Sequence, residues 1–369
     1  MSEPFSPESV ARQLDFCTYC PKMCRLACPV SNADGKESHT PQSKMATLNE
    51  LRRGKMPWTQ ESTSALWACT GCRQCTTFCD HGNEPGLVLL AGRAQANARG
   101  AQHPRLENYA ARFRNREARL SKVLQELAPD ADDGGSDILF WPGCDALDKG
   151  ASDVVAALAL FEGLAGEPVR LARTEQICGG YPLLAAGYPD MFRWHAARVA
   201  RALRGARKVI TNCSACIFTM KQQYAAEGVE LGFEVVSVSE FIADKVSALE
   251  PPERLRTVYY HDPCHLARYS GIIEEPRTVL ARIAELRDFD WSHGDTECCG
   301  GAGLLPKTDP DTADAMARRR LREVAQRGGG TVVTSCATCT YMLRSNAPSG
   351  VEVFDLPSYV AEVCESGRG

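Results

Sequence analysis

The sequence predicts an α-helical N-terminal module followed by a duplicated α/β domain with mainly parallel sheets. Three observations carry this expectation. Two four-cysteine runs near the N-terminus are embedded in segments with helical apolar periodicity. From Asp137 onward, short apolar runs alternate with helical stretches, the pattern of a parallel sheet covered by helices. That alternating pattern then occurs a second time, with cysteines in the same order.

Composition narrows the chemistry. The chain has 369 residues, enough for two or three ordinary domains, and its 44% hydrophobic and 24% charged content suits a folded core. A formal charge of −4 offers no basic footprint, so no nucleic-acid partner is expected. No apolar run reaches spanning length; "VVAALALFEGLAG" (Val154 to Gly166) is interrupted by Glu162 and reads as a buried helix. The opening "MSEPFSPESV" is polar and lacks a signal-peptide core, which points to a cytoplasmic protein. In a reducing compartment, eighteen cysteines mean metal binding or redox chemistry rather than structural disulfides.

Taken in order, "CTYCPKMCRLACP" supplies Cys17, Cys20, Cys24 and Cys28, and "CTGCRQCTTFCD" supplies Cys69, Cys72, Cys75 and Cys79. The second run has the Cys-x2-Cys-x2-Cys-x3-Cys spacing that holds a [4Fe–4S] cluster in bacterial ferredoxins. Because the fourth cysteine of such a run reaches the other cluster of a pair, Cys17, Cys20 and Cys24 should share one cluster with Cys79. Cys69, Cys72 and Cys75 should share the other with Cys28. The first run departs by one extra residue between its second and third cysteines, and the second ends in Asp80 where proline is usual. Two four-cysteine zinc sites are the alternative, but zinc sites pair a Cys-x2-Cys with a distant second pair.

Around these runs, "PQSKMATLNELRRG" has Pro41 at a helix start, Met45, Leu48 and Leu51 on one face, and Gly54 as a stop. "ESTSALWACTG", "EPGLVLLAGRAQANARG" and the longer "RLENYAARFRNREARLSKVLQELA" also read as helices. The arginines of the last read as a solvated face, with a docking surface for an acidic partner as the alternative. The expected division is 1–128 for the helical module, 136–250 for the first α/β copy and 255–366 for the second, with the polar break "PDADDGGSD" before the first copy.

Within the copies, "DILFWPGC" and "TVYYHDPCH" read as strands leading to Cys144 and Cys264. "QICGGYPLL" holds Cys178, and "ECCGGAGLL" holds the vicinal pair Cys298 and Cys299. "KVITNCSAC" ends in Cys213 and Cys216, "TVVTSCATC" in Cys336 and Cys339, and "FEVVSVSEFIAD" is matched by "VEVFDLPSYVAE". Vicinal cysteines are poorly placed to bridge each other, and the glycines after them allow close backbone approach. In open α/β sheets, ligands bind beyond the carboxyl ends of the strands, so loops there can bring Cys264, Cys298, Cys299, Cys336 and Cys339 to one redox cluster. Ile177 stands where the second copy has Cys298, so the first copy offers only Cys144, Cys178, Cys213 and Cys216, which suit zinc or a further cluster.

This layout resembles the heterodisulfide reductase group with cysteine-rich CCG domains, in its fused form: a helical ferredoxin module with two [4Fe–4S] motifs, then two CCG repeats. It is similar to the iron–sulfur subunits of glycolate oxidase and anaerobic glycerol-3-phosphate dehydrogenase. The resemblance covers about Phe16 to Val363 and implies electron transfer. It implies two cubane [4Fe–4S] clusters and a non-cubane cluster on Cys264, Cys298, Cys299, Cys336 and Cys339, while Ile177 breaks the pattern in the first repeat.

The expected function is an electron-transfer subunit served by a flavoprotein dehydrogenase, with a quinone-linked membrane partner, a disulfide or another carrier on the other side. "GGAGLL" lacks the third glycine of a dinucleotide fingerprint, and no phosphate-binding loop is visible, so the flavin is expected on another chain. A disulfide or thiol reductase acting at the second CCG site is the alternative, with His261 and His265 as proton donors beside Cys264 or, more plainly, as caps of its loop. A zinc-stabilised assembly scaffold is a third reading. Trp141 and Trp291 read as packing residues and Cys364 as an uninvolved thiol.

Overall fold

Strands form where β-branched and aromatic residues run together with both faces covered, as in "KVIT" and "TVYYH". In the computed structural model, which describes residues 7–21, 23–127 and 137–366, eight strands make two sheets. They are β1 (Ile138–Trp141), β2 (Val169–Leu171), β3 (Lys208–Thr211), β4 (Glu234–Ser237), β5 (Thr257–His261), β6 (Glu285–Asp288), β7 (Gly330–Thr334) and β8 (Val351–Asp355). The orders are β2-β1-β3-β4 and β6-β5-β7-β8, and every pairing is parallel. One topology built twice is the structural form of the duplication read from the sequence. Most of the polar break at residues 129–136 lies outside the described residues.

By internal contacts the chain divides into two compact units that do not follow linear order. The first holds Met1–Ala110 together with Pro182–Asp190 and Glu297–Arg320; the second holds Ala111–Tyr181, Met191–Thr296 and Leu321–Gly369. The first unit is helical. Pro41–Arg52 starts at an N-cap, Thr40, whose hydroxyl accepts from the Ser43 amide at 3.3 Å, with Pro41 at the first helical position. Its Met45, Leu48 and Leu51 pack with Leu14, Leu66, Val88 and Leu89 into one apolar cluster. Pro7–Tyr19 and Pro85–Ala98 are its other long helices, Tyr109–Leu127 lies almost wholly in the second unit, and the segment entering the second cysteine run is helical only over Ser64–Trp67.

The second unit contains both sheets. The helix Ala151–Ala165 buries Val154, Ala157 and Phe161 and leaves Val155 half exposed, so only one face is covered and the expectation of a wholly buried helix is corrected. The equivalent ends of β4 and β8 show the duplication at atomic detail. Ser237 and Glu240 close a capping box at 3.0 and 2.7 Å. At the matching place Asp355 accepts from the Ser358 amide at 2.8 Å and from Asn212 Nδ2 at 2.9 Å.

Burial, then the nearby Asp153 carboxylate, pushes Asp355 up from its ordinary 3.8 to about 6 despite these donors. The folded chain therefore holds this proton more tightly than the unfolded chain, and stability falls as pH rises through about 4 to 6. Asp355→Asn removes the ionisation. Its new amide can be met by rotation of Asn212, whose Oδ1 has no hydrogen-bond partner among the described residues. The variant's stability relative to the natural chain should be greater at pH 7.5 than at pH 5 by about 1 kcal/mol, read by denaturant titration at both pH values. A pH-independent difference refutes the assignment.

Candidate metal centres

Among the described residues no disulfide is formed, and most cysteines of the repeats are buried. In the first unit, Cys17 lies in the last turn of the Pro7–Tyr19 helix, Cys24 lies in the tight turn Met23–Ala27, and Cys79 follows the short helix Gln74–Thr77. Burial first, then the neighbouring Cys79 and Cys20, pushes the Cys17 thiol up to about 11, against a hydrogen bond from Asn83 Nδ2 at 3.3 Å. Cys24 is pushed up to about 12 by burial and by Cys17, Cys79 and Cys20. These influences put Cys17, Cys20, Cys24 and Cys79 near one another.

Cys28, Cys69, Cys72 and Cys75 line a cavity with Pro29, Lys44 and Leu89. Cys28 sits immediately before the helix Pro29–Asp34, whose Pro29 occupies the first position. Arg73 and Gly71, both at positive φ (65° and 67°), turn the chain so that successive cysteines face inward. Burial raises Cys69 against the nearby Lys44 and Arg93 charges; it raises Cys75 well above the usual range, with Cys72, Cys69, Cys28 and Cys24 adding to it. Two sets of four soft, mutually repelling donors, one around a cavity, fit iron–sulfur clusters: the metal's positive charge removes the repulsion that raises these thiols.

The two repeat-derived loops of the first unit are tied to this second run. Arg93, buried in the Pro85–Ala98 helix, donates to the Cys69 carbonyl at 2.6 Å, the Leu66 carbonyl at 2.9 Å, Ala185 O at 3.1 Å and Gly303 O at 2.9 Å. Each repeat thus supplies one carbonyl to one guanidinium. Gly303 has φ +64°, and a Cβ there would lie 2.4 Å from the Cys69 carbonyl oxygen. Gly300 is similar, at φ +92° with the Ala313 carbonyl 2.5 Å from any Cβ. The glycines after the vicinal pair have a second use: Gly300 N and Gly301 N donate to the sulfurs of Cys298 and Cys299, each at 3.4 Å. Gly71 to Cys69 and Gly180 to Cys178 repeat this two-residue geometry at the same distance. Neither Arg93 nor Asn83 was singled out from the sequence; the available signals were an arginine on the apolar face of a helix and an asparagine beside a helix-starting Glu-Pro.

In the second unit the cysteines follow the carboxyl ends of the strands. Cys144 follows β1, Cys178 follows β2, and Cys213 and Cys216 follow β3. All four are buried. The Cys178 thiol donates to Cys144 and rises well above its usual range, while Cys144 is lowered by that bond and by Arg116. Arg116 Nη1 lies 3.3 Å from the Cys144 sulfur and is held by Asp145 at 2.7 Å and Asp148 at 3.0 Å. The solvated-face expectation for the helix Tyr109–Leu127 is thus corrected at Arg116. Glu117 accepts from the amides of Ile177 and Cys178 at 3.0 and 3.3 Å, and His195 Nε2 donates to the Cys178 carbonyl at 2.7 Å.

Cys264 follows β5, and Cys336 and Cys339 follow β7, at neighbouring strand ends where His261 and Thr334 are in register. Cys336 is lowered to about 6 by a hydrogen bond from Cys339 and one from Ser214 Oγ at 3.1 Å. Ser214 belongs to the first repeat, and Thr338 of the second donates to Asp145 at 2.6 Å, so each repeat reaches into the other's cysteine loop. His265 Nδ1 is 3.4 Å from the Cys264 sulfur. Its ring is enclosed by Tyr181, Phe218 and Tyr269, with centroids at 4.9, 5.7 and 5.0 Å, and burial lowers it to about 3. A ring nitrogen of His261 lies within 4.8 Å of the Cys339 sulfur. Cys298 and Cys299 belong to the first unit, as described above.

The same cysteine pattern defines a group of known proteins. A cysteine-rich domain model, CCG, matches residues 138–221 and 258–344, and a 4Fe-4S dicluster domain model matches residues 13–83. The chain carries two CCG cysteine-rich domains and a 4Fe-4S dicluster domain. Among its relatives, a dihydromethanophenazine:CoB–CoM heterodisulfide reductase subunit of Methanosarcina barkeri is 28% identical over 391 residues, 95% of this chain and 94% of that protein. A fumarate reductase (CoM/CoB) subunit of Methanothermobacter marburgensis is 30% identical over 286 residues, 76% of this chain. The match spans 57% of that relative's length. The CCG protein is thus related to subunits of reductases. Among the described residues, no helix is long and apolar enough to cross a membrane.

Gly303→Ala should loosen the contact with the Cys69 loop, and Gly54→Ala is its control, having φ +70° but nothing within 4 Å of a Cβ. The control should cost only the backbone strain of a left-handed alanine, about 1 kcal/mol, and Gly303→Ala clearly more. Thermal melts and limited proteolysis around residues 297–320 measure both. Equal behaviour of the two variants refutes the packing role.

Proposed function

We propose that this CCG protein is the iron–sulfur electron-transfer subunit of an oxidoreductase complex. A flavoprotein dehydrogenase would supply the electrons, and a quinone-linked membrane partner or another carrier would take them. The observation that carries the reading is the cavity shared by Cys28 and the three cysteines of the second run, which is the ligand set of a paired-cluster module. When bound, iron–sulfur clusters carry electrons singly at potentials set by charge, burial and hydrogen bonds to sulfur. In this reading Cys17, Cys20, Cys24 and Cys79 hold one cubane, and Cys28, Cys69, Cys72 and Cys75 the other. Cys264, Cys298, Cys299, Cys336 and Cys339 hold a non-cubane cluster, and Cys144, Cys178, Cys213 and Cys216 hold zinc or a further cluster. The chain's own contribution is to bury these sulfurs, orient them with glycine amides and Asn83, and place cations beside them.

A thiol-reductase reading needs a proton donor at Cys264. His265 is neutral there at physiological pH and enclosed by three aromatic rings, so it favours the role of packing the loop.

Anaerobic protein should contain about eight iron atoms for the two cubanes, beyond any in the repeats, and show two cubane resonances. Cys79→Ser should alter the same resonance as Cys17→Ser, and Cys28→Ser the same one as Cys72→Ser. A folded, colourless, iron-free chain overturns the electron-transfer reading in favour of a zinc scaffold. Purified alone, the chain should not oxidise a hydroxy acid; full turnover without a flavoprotein counts against the partner requirement. Fast, saturable reoxidation by small disulfides supports the reductase alternative instead.

A further inference from the structure

Lys44 is a buried cation of the helical unit. It lies on the covered face of the Pro41–Arg52 helix and is only 2% exposed. Its Nζ is 3.8 Å from the Cys28 sulfur, and the side chain lines the cavity of Cys28, Cys69, Cys72 and Cys75. Among the described residues it forms no ion pair with a carboxylate. Removing an unpaired ammonium from water costs several kcal/mol unless a compensating negative charge is near. The helix cannot easily move it away. Thr40 and Pro41 fix the helix start, and Met45, Leu48 and Leu51 anchor its apolar face.

The other nest is served differently. Cys17 accepts from the neutral amide of Asn83, and among the described residues no lysine or arginine donates to the sulfurs of Cys17, Cys20, Cys24 or Cys79. Among the described residues, one nest therefore meets a dipole and the other a full positive charge. Arg93 adds a second cation near Cys69, but its donors are committed to backbone carbonyls, which makes it a bracket for the loops.

We propose that Lys44 is the charge-compensating positioning residue of the Cys28, Cys69, Cys72 and Cys75 nest, favouring the more negative state of an iron–sulfur cluster held there. This rests on the reading that the nest holds such a cluster. A positive charge in a weakly screened interior favours added negative charge nearby, so it raises the reduction potential of that centre and shifts the other centre less.

The test is a resonance-monitored redox titration of the full chain, prepared anaerobically, with Lys44→Met and Lys44→Arg beside the natural protein. In Lys44→Met, the centre whose resonance Cys28→Ser alters should become about tenfold harder to reduce, 59 mV for a one-electron couple, and the other should shift clearly less. Lys44→Arg should restore most of the difference. Loss of that one cluster from Lys44→Met but not from Lys44→Arg also supports charge compensation. Unchanged potentials, equal shifts of both centres, or an arginine variant as impaired as the methionine variant overturn the proposal. If the natural chain holds no iron, the electron-transfer reading fails first, and the inference falls with it.

Discussion

Thiolates repel one another, and this protein gathers them where water cannot screen the repulsion. The Cys17 and Cys24 thiols are pushed up to about 11 and 12, and Cys75 well above its usual range, by burial together with neighbouring sulfur. Without positive charge these nests resist ionisation. Bound metal would remove that resistance and would couple its uptake to folding. Much of the surrounding structure can be understood as a response to that constraint.

The response has three parts. Glycines two residues after Cys69, Cys178, Cys298 and Cys299 point their amides at sulfur at 3.4 Å, a contact that needs a sharply turned backbone. Side-chain donors and cations come from elsewhere in the chain: Asn83, Lys44 and Arg116. The glycines that follow the vicinal pair then allow Gly303 to meet the Cys69 carbonyl backbone to backbone.

Duplication shaped the repeats without leaving them equal. Both sheets have the same strand order, and both place cysteines after the inner strands. Yet Ser214 donates to Cys336, whereas Ala337, at the equivalent place, has no hydroxyl to offer Cys213. Thr338 returns a hydrogen bond to Asp145, whose carboxylate also holds Arg116 against Cys144. Together with Ile177 in place of a fifth thiol, these differences give the two cysteine loops different electrostatic surroundings.

The two-run module, the repeat and the strand-end positions of its cysteines were legible because they follow from local spacing and periodicity, which a linear chain displays directly. The covered face of the Ala151–Ala165 helix, the inward turn of Arg116 and the enclosure of His265 were not, since each depends on which elements pack against it. By itself the amino-acid order determined which sulfurs exist, their spacing and the α/β topology that carries half of them. Tertiary structure alone decided which cations and amides face those sulfurs, because electrostatic strength depends on distance and burial, and Lys44 lies sixteen positions from Cys28 in the chain yet 3.8 Å away in space.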